Sequence, residues 1–290
     1  MTMEHILELK EVSKAYRKSD FKLDKVSFRL PYGAIMGFVG ENGAGKTTTI
    51  DCILNTIRKD GGDILLFGKE MTDEDKAMKE NIGIVYDGDN FPDYLNPMRL
   101  SDIMGGLYKQ WDNGLFLDYL KRFNLPGKKK IKTFSRGMTM KLAIAAALAH
   151  RPKLLILDEA TSGLDPVMRD EILEVFLEFV QEEEHSILLS SHITSDLEKI
   201  ADYITFIHEG RIILTASKNE LAYEYGIMRC RESQFKEMDK EDVVAFRKRD
   251  FQTDVLTADT KRARSKYRDV VIDRVSIDEI MVMLVKGERI

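Results

Sequence analysis

The stretch Gly40-Glu41-Asn42-Gly43-Ala44-Gly45-Lys46-Thr47-Thr48 constrains this chain more than any other. It reads G-x-x-x-x-G-K-T, the phosphate-binding P-loop pattern. A short apolar run over residues 34–39 precedes it and suits a buried strand. The residues from Thr48 to Asn55 carry apolar side chains at helical spacing. Strand, glycine loop and helix are the context in which this motif works. Gly43 and Gly45 let the backbone curl so that its N–H groups face phosphate oxygens. The following helix adds the positive end of its dipole. Lys46 supplies charge for the β- and γ-phosphates of a nucleotide. The Thr47 hydroxyl suits Mg²⁺, which prefers oxygen ligands.

The bulk properties set outer limits. A chain of 290 residues has room for one large domain and a smaller one. With 43% hydrophobic and 32% charged residues it has an ordinary soluble balance, and a net charge of −5 argues against a general polyanion binder. Cys52 and Cys230 lie too far apart for a metal-spaced pair, and Cys52 reads as a small core residue on the P-loop helix. Such sparse cysteine usage suits a reducing cytoplasm. The N-terminal residues show no charged region followed by an apolar core, so no signal peptide is expected. The most apolar helical stretch, Leu142 to Ala149, is too short to span a bilayer. A membrane role would need another polypeptide.

Strand and helix patterns alternate through most of the chain, which places it in the α/β class. Strands are expected at residues 6–9, 26–30, 63–68, 82–86, 153–159 and 186–190, with a hairpin around Glu209-Gly210. Leu100 to Phe123 reads as helix broken near Asp112-Asn113-Gly114. Ser135 is placed to cap a helix running to about His150, and Asp165-Pro166 to begin one reaching roughly Glu183. Past residue 217 the charges turn nearly balanced, 16 basic against 15 acidic. A linking helix at 218–225, three strand-like pieces at 243–246, 254–257 and 270–272, and a last helix from Ile277 to about Lys286 suggest a small appended α+β module.

A phosphate nest alone does not say what happens to the nucleotide. Leu154-Leu155-Ile156-Leu157-Asp158-Glu159 does: apolar residues leading to an Asp at a strand end form a Walker B arrangement. Asp158 is placed to hold Mg²⁺. Glu159 can accept a proton from a water attacking the γ-phosphate. Ser190-Ser191-His192 follows the next strand, and strands of such a sheet end at the ligand crevice. His192 can report the γ-phosphate there.

Taken together, these motifs resemble the nucleotide-binding subunits of the ATP-binding cassette (ABC) family, over residues 4 to about 217. Tyr16 matches the aromatic that stacks on adenine. Gly40 to Thr48 match Walker A, Asp158 and Glu159 match Walker B and the catalytic carboxylate, and Ser162-Gly163-Leu164-Asp165 matches the D-loop. Phe134-Ser135-Arg136-Gly137-Met138 stands where the family has Leu-Ser-Gly-Gly-Gln, and His192 matches the switch histidine. The resemblance implies a central sheet with flanking helices, an N-terminal β-subdomain and a helical subdomain at roughly 87–150, within an ATPase domain at 1–217. Residues 218–290 form the accessory module. It implies ATP and Mg²⁺ as ligands, and Ser135 and Gly137 facing the ATP of an opposing subunit. Two chains then sandwich two nucleotides, and a separate permease holds the pair at the inner face of the membrane. Lys46, Glu159 and His192 carry catalysis; no nucleic acid is expected.

The sequence departs from the family in two places. Asp87 occupies the place of the usual Gln after the strand ending near Tyr86, so a metal contact there would come from a shorter, charged side chain. Arg136 and Met138 replace a Gly and the Gln of the signature stretch. The loop from Asp89 to Met98, with Phe91, Pro92, Tyr94, Leu95 and Pro97, suits docking on a hydrophobic helix of the membrane partner or packing on its own domain. The tail resembles Gram-positive subunits linked to export of, or resistance to, antimicrobial peptides. The rival reading is a soluble ABC-type ATPase acting on nucleic acid or ribosomes.

Overall fold

The computed structural model describes residues 4–17, 20–72, 75–88 and 90–289; Asp89 of the docking loop lies outside them. The first part of the chain contains β1 (His5–Ala15), β2 (Lys22–Pro31), β3 (Ile35–Val39), α1 (Lys46–Ile53), β4 (Gly61–Leu66), β5 (Lys69–Glu70), α2 (Lys76–Lys79) and β6 (Ile82–Val85). Next come α3 (Pro97–Leu107), α4 (Asn113–Arg122), α5 (Arg136–Ala149), β7 (Leu154–Asp158), α6 (Pro166–Phe179), β8 (Ser186–Ser191), α7 (Thr194–Ile200), β9 (Tyr203–His208) and β10 (Arg211–Ser217). The tail holds α8 (Lys218–Tyr223), β11 (Gly226–Cys230), α9 (Glu232–Lys236), β12 (Ala245–Lys248), β13 (Thr253–Thr257), α10 (Thr260–Lys266), β14 (Val271–Arg274) and α11 (Ile277–Lys286).

The central sheet has the order β10-β9-β3-β8-β7-β6. Its inner strands pair in parallel, and β9 with β10 closes one edge as a hairpin. Every residue of β3, β7 and β8 is buried. That explains their unbroken apolar runs, since a parallel sheet covered on both faces has no solvent side to alternate toward. One core lies between this sheet and α4, α5, α6 and α7; the other lies toward the antiparallel sheet β2-β1-β4-β5 and α1.

The tail forms a third sheet, β12-β13-β11-β14, wholly antiparallel. Ile227, Ala245, Leu256, Ile280 and Leu284 join the apolar cluster that contains Leu197 and Ile200 of α7. The Ile277 N–H donates to Glu198 Oε1 at 3.1 Å. The tail is therefore packed on the α7 side of the cassette.

Several elements differ from their expected bounds. The apparent break between residues 9 and 12 is a bulge inside one long strand, where Glu11 takes φ 50° and the β1–β2 register shifts. Helix α6 stops at Phe179 rather than near Glu183. Glu182, Glu183 and Glu184 follow, and three carboxylates are unfavourable at the negative end of a helix dipole. Strand β11 occupies residues just past the expected linking helix, to which the sequence pattern assigns no element. Its five residues are specified by pairing with β13 and β14 on both sides, not by alternation along the strand.

Candidate functional site

The glycine loop leaves the end of β3 and turns into α1. Gly45 caps that helix at φ 113°, in a conformation L side chains rarely adopt. No side chain caps the first turn. Its N–H groups thus lack the usual internal acceptor, as an anion site requires. A Cβ at Gly43 would meet nothing within 4 Å, so the loop opens on free space. That space is a cavity of about 610 Å³ bordered by Gly43, Lys46, Thr47, Asp87, Asp158 and Glu159. Its size falls in the range of small-ligand pockets.

Parallel pairing decides which groups meet here. Asp158, the last residue of β7, stands opposite Ser190 of β8, and Ser191 stands opposite Val39 of β3. The Thr47 hydroxyl donates to Asp158 Oδ2 at 2.8 Å, and the Ser190 hydroxyl donates to Oδ1 at 2.7 Å. The buried Lys46 ammonium donates to the Gly40 carbonyl at 2.8 Å and lies 3.3 Å from Glu159 Oε1. Glu159 Oε1 accepts no hydrogen bond, although it is buried. The other oxygen, Oε2, lies 2.6 Å from His192 Nδ1.

Glu159 itself sits in the left-handed region at φ 53°. A non-glycine residue there costs about 1–2 kcal/mol. Its N–H donates to the Ser190 carbonyl, and its own carbonyl accepts from the Ser162 N–H, which together pin the turn. Backbone strain is thus held at the residue whose carboxylate reaches both Lys46 and His192.

Among the described residues, no group of three or more His, Cys, Asp or Glu side chains is set to hold a metal alone. Mg²⁺ characteristically takes one or two carboxylates, with phosphate oxygens and water completing its shell. Thr47 and Asp158, adjoining the phosphate loop, are a donor set of that kind. Burial, with Asp51 and Asp158 nearby, pushes the Tyr86 hydroxyl up to about 12, so it stays neutral beside the cavity. Burial also raises the Cys52 thiol to about 11, in keeping with a core role on α1.

The remaining expected residues fall elsewhere. Tyr16 is 40% exposed, with the Lys14 ammonium 5.7 Å from its ring centroid, and it does not border the cavity. Ser135 caps α5, its hydroxyl accepting from the Met138 N–H at 3.2 Å. Gly137 is buried, and a Cβ there would stand 2.5 Å from Met168 Sδ, so a larger residue would require the Met168 side chain to move. Asp87 Oδ1 accepts from Arg136 Nη2 at 2.7 Å.

Sequence reasoning passed over three participants. Phe21 borders the phosphate-loop cavity and an adjoining one that includes Asn42 and His208. Ser190 anchors Asp158, and His208 pairs with Glu41 at 2.9 Å. Ser190 was detectable as a hydroxyl at the end of an apolar strand; the other two have no local signal.

The family profile described as ABC transporter matches residues 23–162. The chain is 33% identical over 220 residues to the ABC transporter ATP-binding protein YtrB of Bacillus subtilis, covering 76% of this chain and 75% of that one. It is 35% identical over 215 residues to the lantibiotic transport ATP-binding protein SrtF of Streptococcus pyogenes, covering 72% and 90%. It is 34% identical over 218 residues to the bacitracin transport ATP-binding protein BcrA of Bacillus licheniformis, covering 73% and 69%. A solved ATP-binding subunit of an ABC transporter superposes with a TM-score of 0.68 at 26% identity, over 74% of this chain and 91% of that one. The chain therefore belongs to the ABC transporter family as an ATP-binding and ATP-hydrolysing subunit.

Proposed function

We propose that this subunit powers an exporter of amphiphilic peptides or antibiotics through ATP-dependent closure of a head-to-tail dimer. The cargo class rests on the bacitracin and lantibiotic transport relatives. The observation that carries the catalytic part is the placement of Glu159 between Lys46 and His192 at the edge of the phosphate cavity. In this reading the loop amides and Lys46 hold the phosphates, and Tyr16, outside the phosphate cavity, stacks on an adenine that extends beyond it. Glu159 takes a proton from the attacking water, and His192 senses the γ-phosphate. Thr47 and Asp158 hold Mg²⁺, which neutralises charge on the phosphoryl oxygens when bound. The uncapped amides beside the loop and the Thr47–Asp158 donor set support this assignment.

Ser135 and Gly137, at the N-terminus of a second helix, contact the ATP of the opposing subunit. That subunit is a second copy or a close relative. A cavity of about 430 Å³, bordered by Phe91, Asp93, Ile131, Phe134 and Met140, is the place where a membrane permease docks. Among the described residues no helix is long and apolar enough to cross a membrane, so the transport path belongs to that partner.

Glu159→Gln tests the scheme. The variant is expected to bind ATP, to lose turnover by about 10²–10⁴-fold, and to accumulate as a closed dimer in sedimentation. Full turnover would remove Glu159 from this role. Isolation of the native complex from membranes identifies the permease, and transport of labelled peptides by the reconstituted complex tests the cargo class.

A further inference from the structure

The two departures from the family pattern touch one another. Asp87 follows β6, and Arg136 begins α5; their side chains meet at 2.7 Å across 49 residues of sequence. Asp87 also borders the phosphate cavity together with Thr47, Asp158 and Glu159. Arg136 adjoins Ser135, the cap of α5, and lies over a third segment. A Cβ at Gly163 would stand 2.8 Å from Arg136 Nη1 and 3.0 Å from its Cζ. Gly163 has φ 70° and belongs to the loop that leaves Glu159 for α6. The Arg136 side chain therefore joins the start of α5 to the loop after β6 and passes beside the loop after β7.

Stability does not account for this arrangement. Both side chains are about half exposed, at 54% and 45%, and exposed ion pairs contribute little to folding. An arginine fork holds its carboxylate in a defined orientation, however, so the pair fixes position more than it adds energy. Strands β6 and β7 are paired in register through Val85 and Leu157, and the two loops leave them side by side.

We infer that Arg136 is a positioning residue that ties the N-terminus of α5 to the nucleotide cavity of its own chain through Asp87. A change at the phosphates moves Asp87, and Arg136 carries that change to the Met138 and Thr139 amides, both bonded to Ser135. Gly163, in a backbone conformation that favours glycine, leaves room for the guanidinium beside it. The contact path is within one chain; its consequence for a partner's ATP rests on the dimer proposed above.

Hydrogen exchange of the full chain with and without ATP·Mg²⁺ tests this, at concentrations where sedimentation shows a monomer. In the parent chain ATP is expected to slow exchange over residues 43–48 and also at Met138 and Thr139. In Asp87→Asn and in Arg136→Ala the α5 response is lost, while in Arg136→Ala, whose side chain lies outside the phosphate cavity, the slowing at 43–48 persists. Arg136→Lys, which keeps the charge, restores part of it. The double variant Asp87→Asn/Arg136→Ala should match the single ones, as for two groups acting through one contact. An unresponsive α5 in the parent chain, an unchanged response in either single variant, or additive losses would overturn the inference. ATP-driven dimerisation in a Glu159→Gln background reports separately: no dimer alongside an intact α5 response would sink the dimer and leave the Arg136 contact standing.

Discussion

Lys46 and Glu159 form an ion pair across the phosphate cavity, Nζ to Oε1 at 3.3 Å, with side chains only 6% and 14% exposed. The two charges come from segments that follow different strands, Lys46 at the start of α1 and Glu159 just past β7, 113 positions apart in sequence. A nucleotide phosphate would compete with the carboxylate for the ammonium. In the proposed scheme, ATP entry would exchange the Lys46–Glu159 pair for a Lys46–phosphate one and free the carboxylate.

Lys46→Ala removes the cation from that exchange. A charge-assisted hydrogen bond contributes about 1.5–3 kcal/mol, so ATP affinity should fall about 10–100-fold. Titration calorimetry on the monomer measures this, and an unaltered affinity would show that other groups meet the phosphate charge.

Ser190→Ala leaves Asp158 Oδ1 without its donor in a buried setting. Leaving a buried acceptor unpaired costs about 1–3 kcal/mol. The melting temperature should drop by several degrees, and the Mg²⁺ concentration for half-maximal ATPase activity should rise. ATP binding measured without Mg²⁺ should stay as in the parent. A shift in stability with no change in Mg²⁺ dependence would confine Ser190 to the core.

Gly137→Ala forces a methyl toward Met168 Sδ, which a Cβ would approach to 2.5 Å. Because Sδ lies near the end of a flexible, partly exposed side chain, Met168 can swing aside, and the melting temperature should fall only modestly. Adding Met168→Ala makes room and should return the melting temperature toward the parent value. If ATP-driven dimerisation remains impaired in the double variant, Gly137 acts at the opposing nucleotide as well as in packing; full recovery of dimerisation restricts it to packing.

His150 gives the fold a pH dependence. It is buried at the end of α5, stacked on Tyr108 with centroids 4.4 Å apart, and Nε2 faces the Ile82 carbonyl at 3.1 Å. Burial holds its pKa below the ordinary 6.5, outweighing the carbonyl contacts that favour the charged form. The unfolded chain therefore takes up a proton first as pH falls below about 6.5. The stability this group contributes is complete above that pH and declines as pH drops toward the folded value. Urea unfolding at pH 7.5 and 5.5 should show the loss, and His150→Phe should reduce the difference between the two.

Much of the site was legible because its chemistry is local. Gly43, Gly45, Lys46 and Thr47 occupy consecutive turns of one loop, so their spacing is their geometry. Asp158 and Glu159 end an apolar run long enough to be a buried strand. Ser135 and Asp165 reveal helix starts because each side chain accepts from an N–H two or three residues ahead. The reading failed where pairing overruled local pattern. The bulge at Glu11 and the strand Gly226–Cys230 depend on neighbours distant in sequence.

From the residues alone came a phosphate loop, a carboxylate proposed to hold Mg²⁺, a base candidate and the α/β alternation that carries them. Those signals survive in one dimension because backbone curvature and strand burial act over a few residues. Only the tertiary structure decided that Ser190 anchors Asp158, that Lys46 and His192 share Glu159, that Phe21 rather than Tyr16 borders the cavity, and that Asp87 and Arg136 join. Each of these relationships is set by the order and register of parallel strands. Side chains far apart in the chain become neighbours once those strands align, and no spacing along the chain records it.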